Sequence, residues 1–504
     1  MRAWILFSLA FVIALGMLTL SHAAFLHLPY FWDEAGYYIP AALDFYHHGL
    51  LIPRDTLPTG HTPLVPIYLA LAWRLFGFSQ PVTRVAMLAL AAGTLIVLYA
   101  LGRTVARREV AAWSCILLAL CPLFFMQSML AHLDLAAALT TTLAVLALIK
   151  RRMGWFALAA SISIMTKETA VILLPVAWLF AWRIRKGLNK RALLWLAIPL
   201  LPLIAWTFYY HRVTGFWTGN PTYLRYNLYS TLRPLRIFIS FARRLYQVFI
   251  EAFNWLLVGA AVLGYRRMKK ARASAPVDSP HASRVEPQLE ARQDFYFLTC
   301  GLLMAYVVML SLVGGALLPR YLLPVFPCFY LALVMFADFM PQKTMRGALA
   351  ITAICFIAGW FINPPYPFPY EDNLACVDFI RLHQQAAGFL SSHANNARIL
   401  TAWPASDELT RPALGYVPQP LQVVPLPTFR EDNFQGISPD SFDLLYFYSR
   451  GWSAPDNWLR RHPQLDRIFD YTPAIPASEL EQIFHLKLIA AFHERGQWVK
   501  IYSK

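Results

Sequence analysis

Two adjacent carboxylates, Asp33 and Glu34, stand in Phe31-Trp32-Asp33-Glu34, shortly after an apolar run at 4–24. That run is about twenty residues long, enough to cross a bilayer as a helix. An acid beside a membrane core is costly unless water, a cation or a reacting group compensates it. Placed there, a carboxylate suits a general base that takes a proton from a hydroxyl. A solvated loop is the plainer reading of one such acid, but these two begin a wider pattern. Tyr37 follows them in Ala35-Gly36-Tyr37-Tyr38.

Four more groups have the chemistry to join them. His61 lies in Gly60-His61-Thr62-Pro63-Leu64, and His132 and Asp134 lie in Met129-Leu130-Ala131-His132-Leu133-Asp134. Lys167 interrupts two short apolar runs in Thr166-Lys167-Glu168-Thr169, and Arg320 with Tyr321 sits in Leu318-Pro319-Arg320-Tyr321-Leu322. Carboxylates and cations at one membrane depth would suit a phosphate next to a hydroxyl that must be deprotonated. Each also has a plainer role. Lys167 and Glu168 could be a neighbouring ion pair, Arg320 a snorkelling helix anchor, Asp134 a helix cap, and the histidines interfacial fillers.

What would position these groups is a set of membrane spans. The chain has 504 residues, 58% of them hydrophobic and 14% charged, against about 25% charged in a soluble protein. Its mean hydropathy is +0.45. Apolar runs fall near 4–24, 82–102, 110–126, 135–149, 153–165, 169–182, 192–210, 246–264, 295–314, 321–339 and 347–363. Basic clusters at 103–108, 150–152, 183–191, 266–270 and 343–346 occupy alternate connections. Short loops rich in Lys and Arg stay in the cytoplasm. The pattern predicts about eleven spans, with the N-terminus inside and the C-terminal region outside. The formal charge of +16 thus reports topology rather than nucleic-acid binding. One connection, 211–245, is basic on the expected outer side, and its arginines are read as partners for phosphate or an acidic substrate.

Two segments complicate the count. Arg2, the first run and Ser21-His22-Ala23 also fit a cleavable signal peptide, but the run is long for one and a retained helix is favoured. The stretch from Pro63 to Phe78 is apolar, yet counting it as a span would put the basic clusters outside. It is expected to lie in the interface as an amphipathic or re-entrant helix.

The chain divides into a membrane domain, 1–363, and a more polar region, 364–504. Within the first, 266–292 reads as a disordered cytoplasmic loop. In the second, helical periodicity at 376–390, strands at 398–403 and 442–448, a helix at 452–461 and a closing hairpin turning at Arg495-Gly496 suggest a small α/β domain. No internal repeat is evident. Five of the six cysteines lie in or beside apolar runs and Cys376 is alone, so neither a disulfide nor a structural zinc site is expected.

Taken together, residues 1–340 resemble the membrane glycosyltransferases of the GT-C class. The likeness is to the branch with protein O-mannosyltransferases, aminoarabinose transferases of lipid A and bacterial lipopolysaccharide-core transferases. Asp33-Glu34 with Tyr37 looks like that branch's first-outer-loop motif. His61-Thr62-Pro63-Leu64 stands where a Lys-Pro-Pro-Leu-type sequence is common, so a histidine replaces a fixed cation. Leu133-Asp134, Thr166-Lys167 and Arg320-Tyr321 occur in matching order.

The resemblance implies an inverting transfer of sugar from a polyprenyl-phosphate donor to an acceptor hydroxyl on the outer side of the cytoplasmic membrane. The acceptor would be a glycolipid, a polysaccharide or a protein. Asp33 would be the base, with Glu34 beside it. Arg320, Lys167 and Tyr321 would hold the donor phosphate. Glu34, Asp134, His132, His61 and Tyr37 would orient the acceptor or a divalent metal cation, whose requirement is left open. No Gly-rich phosphate loop points to a nucleotide sugar. The alternative is a transporter or flippase of lipid-linked glycans. It is disfavoured because no repeat and no acid deep within a span is found. A scaffold presenting the outer domain is a third reading.

Overall fold

The structure is a computed structural model, and it describes residues 2–184, 190–273, 286–364, 368–394, 396–450 and 474–504. The chain is mostly helical, with a small sheet near its C-terminus. Four helices among the described residues are long and apolar enough to cross a membrane: Gln80–Val105, Leu194–Thr214, Leu289–Leu312 and Pro319–Ala337. A bent pair, Pro234–Phe249 with Glu251–Ala271, makes a fifth if it is one span. Shorter apolar helices run over Ile5–Ser21, Leu64–Phe76, Leu133–Ile149 and Met153–Thr166.

Length and composition therefore give up to five spans, where the sequence pattern predicts about eleven. The difference arises because several apolar runs fold as short helices with breaks. Pro122 opens the new helix Pro122–Gln127 immediately after Arg108–Leu120. Lys167 ends Met153–Thr166 in an extended conformation, and a 3-10 turn over Glu168–Ile172 precedes Leu173–Arg183. The segment expected at the interface is helical over Leu64–Phe76, 13 residues, short for a crossing of about twenty.

The chain forms two compact units. The first comprises Met1–His22, Pro58–Tyr68 and Val85–Trp360; the second comprises Ala23–Leu57, Leu69–Arg84 and Phe361–Lys504. A linear division at 363 thus captures the start of the last segment but not the two early segments that join it. Both ends of the segment expected as a loop, 266–273 and 286–292, are helical. Asn254–Ala273 and Glu286–Leu312 are helices, and 274–285 lie outside the described residues.

In the first unit, Leu133–Ile149 packs against Met153–Thr166 and against the 3-10 segment Pro319–Val325. That packing brings three distant stretches of sequence to one helix end. In the second unit, β1 (Ile399–Ala402), β2 (Val423–Leu426), β3 (Leu444–Tyr448), β4 (Lys487–Glu494) and β5 (Gln497–Ser503) form one sheet in the order β2-β1-β3-β5-β4. β1 is parallel to β2 and β3, whereas β5 runs antiparallel to β3 and β4. The β4–β5 turn uses Arg495 at φ 39° and Gly496 at φ 83°, a pair of left-handed residues whose twist suits a two-residue hairpin. The helix predicted over 376–390 runs from Ala375 to His393. The one predicted over 452–461 lies outside the described residues.

Candidate active site

Asp134 sits in the first turn of Leu133–Ile149, with His132 as the extended residue before the helix. An acid is favourable there because the unpaired N–H groups make that end positive. Asp134 is also buried, so its charge needs a partner. Lys167 Nζ lies 2.6 Å from its Oδ1, and Arg320 Nε lies 3.6 Å from its Oδ2. All three side chains are nearly inaccessible. Lys167 and Glu168 are neighbours in sequence but take different partners, so the simple ion pair between them is not what forms.

The cations also gather on one ring. Lys167 Nζ is 4.1 Å from the centroid of Tyr321, the Arg320 guanidinium 5.5 Å and the Arg244 guanidinium 5.8 Å. Cations are drawn to an aromatic face by its quadrupole, more so where water is excluded. Arg320 Nη1 lies 2.8 Å from Nδ1 and 2.9 Å from Nε2 of His132, and His132 Nδ1 lies 2.8 Å from Gln127 Oε1. Arginine has no acceptor, so the imidazole faces it as a neutral ring with one lone pair. Lys167 and Arg320 then stand against Asp134, an arrangement with positive charge to offer an anion.

The helix Pro234–Phe249 supports this group from below the level of side-chain chemistry. Arg244 donates to the carbonyls of Leu318 at 2.7 Å and Ala316 at 3.2 Å, Gln247 to Leu317 at 2.6 Å and Arg236 to Gly315 at 3.0 Å. The backbone before Arg320 is not helical, and its carbonyls need donors wherever water is absent. This corrects part of the reading of 211–245. Arg236 and Arg244 are buried and turned to backbone carbonyls rather than held out for a phosphate.

His61 belongs to a second arrangement in the same unit. Its Nδ1 lies 3.0 Å from both Glu168 carboxylate oxygens, and its Nε2 lies 3.3 Å from the Tyr223 hydroxyl. Gly60 (φ 85°) and Gly219 (φ 67°) let two loops cross there. A Cβ on Gly60 would lie 2.5 Å from the Gly219 nitrogen. Trp206 donates to the Gly60 carbonyl and Asn220 to that of Pro58.

The acidic doublet lies in the second unit, and its members have different surroundings. Glu34 has 0% exposure; its Oε1 is 2.5 Å from Arg84 Nη1, and its Oε2 accepts the Phe31 N–H at 2.8 Å. Arg84, also at 0%, donates through Nη2 to the Pro29 carbonyl at 2.9 Å and lies over the Tyr30 ring. Tyr30 in turn bonds Thr83 at 2.7 Å, and Trp73 donates to the same hydroxyl at 2.9 Å. Glu34 therefore helps hold the 28–34 loop in shape through Arg84 and the Phe31 N–H. Asp33 is half-exposed, at the start of a single π-helical turn over Glu34–Tyr38. Tyr37 is half-exposed too, 5.6 Å from the Trp403 ring.

A divalent cation does not fit the donors proposed for it. Among the described residues no group of three or more His, Cys, Asp or Glu side chains is placed to hold a metal ion. The carboxylates of Glu34 and Asp134 are engaged by Arg84 and by Lys167 with Arg320. All six cysteines are free thiols.

Sequence reasoning missed Arg84, Gln127 and Trp403. Arg84 carried a signal: a charge near the start of an apolar run is expensive unless it has a dedicated partner. Gln127 and Trp403 carried none, since only the folded chain brings them to their neighbours.

The comparisons agree with this architecture. A family model for dolichyl-phosphate-mannose-protein mannosyltransferases matches residues 60–210. No curated protein is significantly similar to the chain. The fold is similar to that of ArnT from Cupriavidus metallidurans in the apo state. The TM-score is 0.56 at 14% identity over 99% of this chain and 98% of ArnT. It is likewise similar to ArnT bound to undecaprenyl phosphate, with a TM-score of 0.54 at 13% identity over the same shares of 99% and 98%.

Proposed function

We propose that this chain, a multi-pass membrane glycosyltransferase of the GT-C class, transfers a sugar from a polyprenyl-phosphate donor to an acceptor hydroxyl. The observation that carries the reading is the buried group of Lys167 and Arg320 with Asp134, gathered against the half-exposed Tyr321 ring, in which positive charge is assembled at the ends of apolar helices. Undecaprenyl phosphate bound to ArnT, a protein of similar fold, supports a lipid phosphate as the anion. Reaction on the outer side of the cytoplasmic membrane follows from the basic loops, which put the N-terminus inside and the C-terminal region outside.

In this mechanism the acceptor O–H gives its proton to the Asp33 carboxylate. The acceptor oxygen forms a bond to the anomeric carbon while the bond from that carbon to the phosphate oxygen breaks. One displacement inverts the anomeric centre, and the electron pair leaves with the lipid phosphate. Arg320 and Lys167 offset the charge that grows on that phosphate, the largest electrostatic demand of the step. Asp134 keeps the two cations in place. His61, gripped by Glu168, adds a titratable group where a lysine would give a fixed charge.

The test is to incubate the purified chain with a panel of polyprenyl-phosphate sugars and measure free polyprenyl phosphate. Donor-specific release supports the reading. Movement of intact donor across a vesicle membrane without release would overturn it in favour of transport.

A further inference from the structure

Aromatic side chains in the core of the second unit are sealed: Phe379 and Tyr448 are each 1% exposed. Three others beside Asp33 are not. Trp32, Tyr37 and Trp403 are all half-exposed, although their rings are mutual neighbours. Trp403 is 5.4 Å from Trp32 at 80°, and 5.6 Å from Tyr37 at 44°. The cluster is also built with two unusual local features. Trp32 has φ 42°, a strained left-handed conformation that a bulky residue rarely adopts. Gly36 has no side chain where the Trp403 indole lies: a Cβ there would fall 2.5 to 2.8 Å from three indole atoms.

Polar groups border the rings. The Arg450 guanidinium lies 5.5 Å from the Trp32 ring centroid. The Trp403 side chain hydrogen-bonds to Asp407, which Arg411 Nε approaches at 3.7 Å. Asp33 follows Trp32 directly in the chain. A half-open aromatic face bordered by the Arg450 guanidinium and the Asp407 carboxylate matches one chemistry well. A pyranose or furanose has a C–H face that is weakly positive and apolar, and a rim of hydroxyls. The face suits the negative face of an aromatic ring, and the rim suits carboxylate and guanidinium partners.

We propose that Trp32, Tyr37 and Trp403 form a platform that seats a sugar residue of the acceptor. This deepens, and rests on, the glycosyl-transfer reading above: the hydroxyl presented to Asp33 belongs to a glycan rather than to a protein side chain. Strain at Trp32 is then the structural cost of holding that indole at the platform.

The test uses the full chain in detergent. Cello-, xylo- and mannotetraose are the saccharide probes, and a Ser/Thr-rich peptide is the competing arm. Saturation-transfer NMR should show contact with the sugar C–H protons for at least one tetraose. Trp403→Leu should weaken that binding roughly three- to tenfold, the range of one aromatic contact, while Trp403→Phe retains most of it. Oxidative footprinting of the unaltered chain gives a readout that does not depend on a variant folding. The bound tetraose should protect Trp32, Tyr37 and Trp403 relative to the exposed Trp217. Failure of every tetraose to bind, equal binding by Trp403→Leu, or protection by the peptide alone would each overturn the platform. Release of polyprenyl phosphate from each donor, with a cell-envelope extract supplying acceptor hydroxyls, is measured in the same preparation. Release without saccharide binding removes the platform only, whereas no release from any donor removes the transferase reading itself.

Discussion

Asp33 and Glu34 share a peptide bond but not an environment, so their amide variants should fail in different ways. Asp33→Asn keeps size and removes the proton acceptor. Turnover should fall by about 10²–10⁴-fold, the usual contribution of a general base, with donor affinity unchanged. Steady-state kinetics on the folded variant would check this, and full activity would remove Asp33 from the mechanism. Glu34→Gln instead breaks a buried ion pair with Arg84, a change that costs about 3–5 kcal/mol where the partner charge stays buried. The loss should appear as folded yield. Arg320 gives the second residue-scale prediction. Arg320→Ala should impair donor use far more than Arg320→Lys, because Lys keeps the charge but not the planar fork that reaches Asp134 and His132 together. Equal activity of Arg320→Ala and the parent chain in donor titrations would reduce Arg320 to a helix-end anchor. Charge type and position were legible here, since Asp33, Asp134, Lys167 and Arg320 interrupt apolar runs where charge is costly. The division of labour within Asp33-Glu34 was not, because the buried partner of Glu34 is fifty residues away.

At the scale of elements, periodicity found what is local and missed what is paired at long range. The closing hairpin was readable from alternation around Arg495-Gly496, and the helix over Ala375–His393 from its apolar spacing. β2 was not, because Val423–Leu426 is four residues long with Pro425 inside, and its identity comes from pairing with β1. The break at Lys167 was readable from the charge that interrupts two short apolar runs, whereas the run 110–126 gave no sign by hydropathy that Pro122 starts a second helix. The sheet yields a pH prediction. Asp443 accepts hydrogen bonds from the Arg398 side chain, at 2.8 Å from Nη2, and from its backbone N–H at 2.9 Å. These bonds, with the charge of Arg398, hold its carboxyl at about 2 instead of the ordinary 3.8. A depressed carboxylate stabilises the fold above its unfolded pKa, and that contribution is lost as pH falls through the folded one. Asp443→Asn should therefore lower the melting temperature at neutral pH by a small amount, as this exposed pair contributes at most about 1 kcal/mol. The difference from the parent chain should shrink between about pH 4 and pH 2. An unchanged gap in thermal melts at pH 2 would mean that the effect is steric.

At the scale of the whole molecule, orientation is the first thing to measure. A reporter active only outside the cytoplasm should work when fused after Lys504 and fail when inserted near Ser279. The opposite pattern would invert the sidedness on which the transfer reaction was argued. That the chain is a multi-pass membrane protein was legible in its composition and its repeated apolar runs, which act over the full length. The grouping of distant segments was not, because the second unit draws on Ala23–Leu57, Leu69–Arg84 and Phe361–Lys504. That interleaving has a consequence for synthesis. A ribosome releases the first two segments early and the third last, so for most of translation Glu34 and Arg84 are in the membrane or at its surface without the sheet they fold beside. Chains that stop near 363 should be unable to complete the second unit and should be cleared by proteolysis. A pulse-chase of the 1–363 fragment would read this as a shortened half-life, and supplying 361–504 as a separate polypeptide should lengthen it if the late segment alone is what is missing.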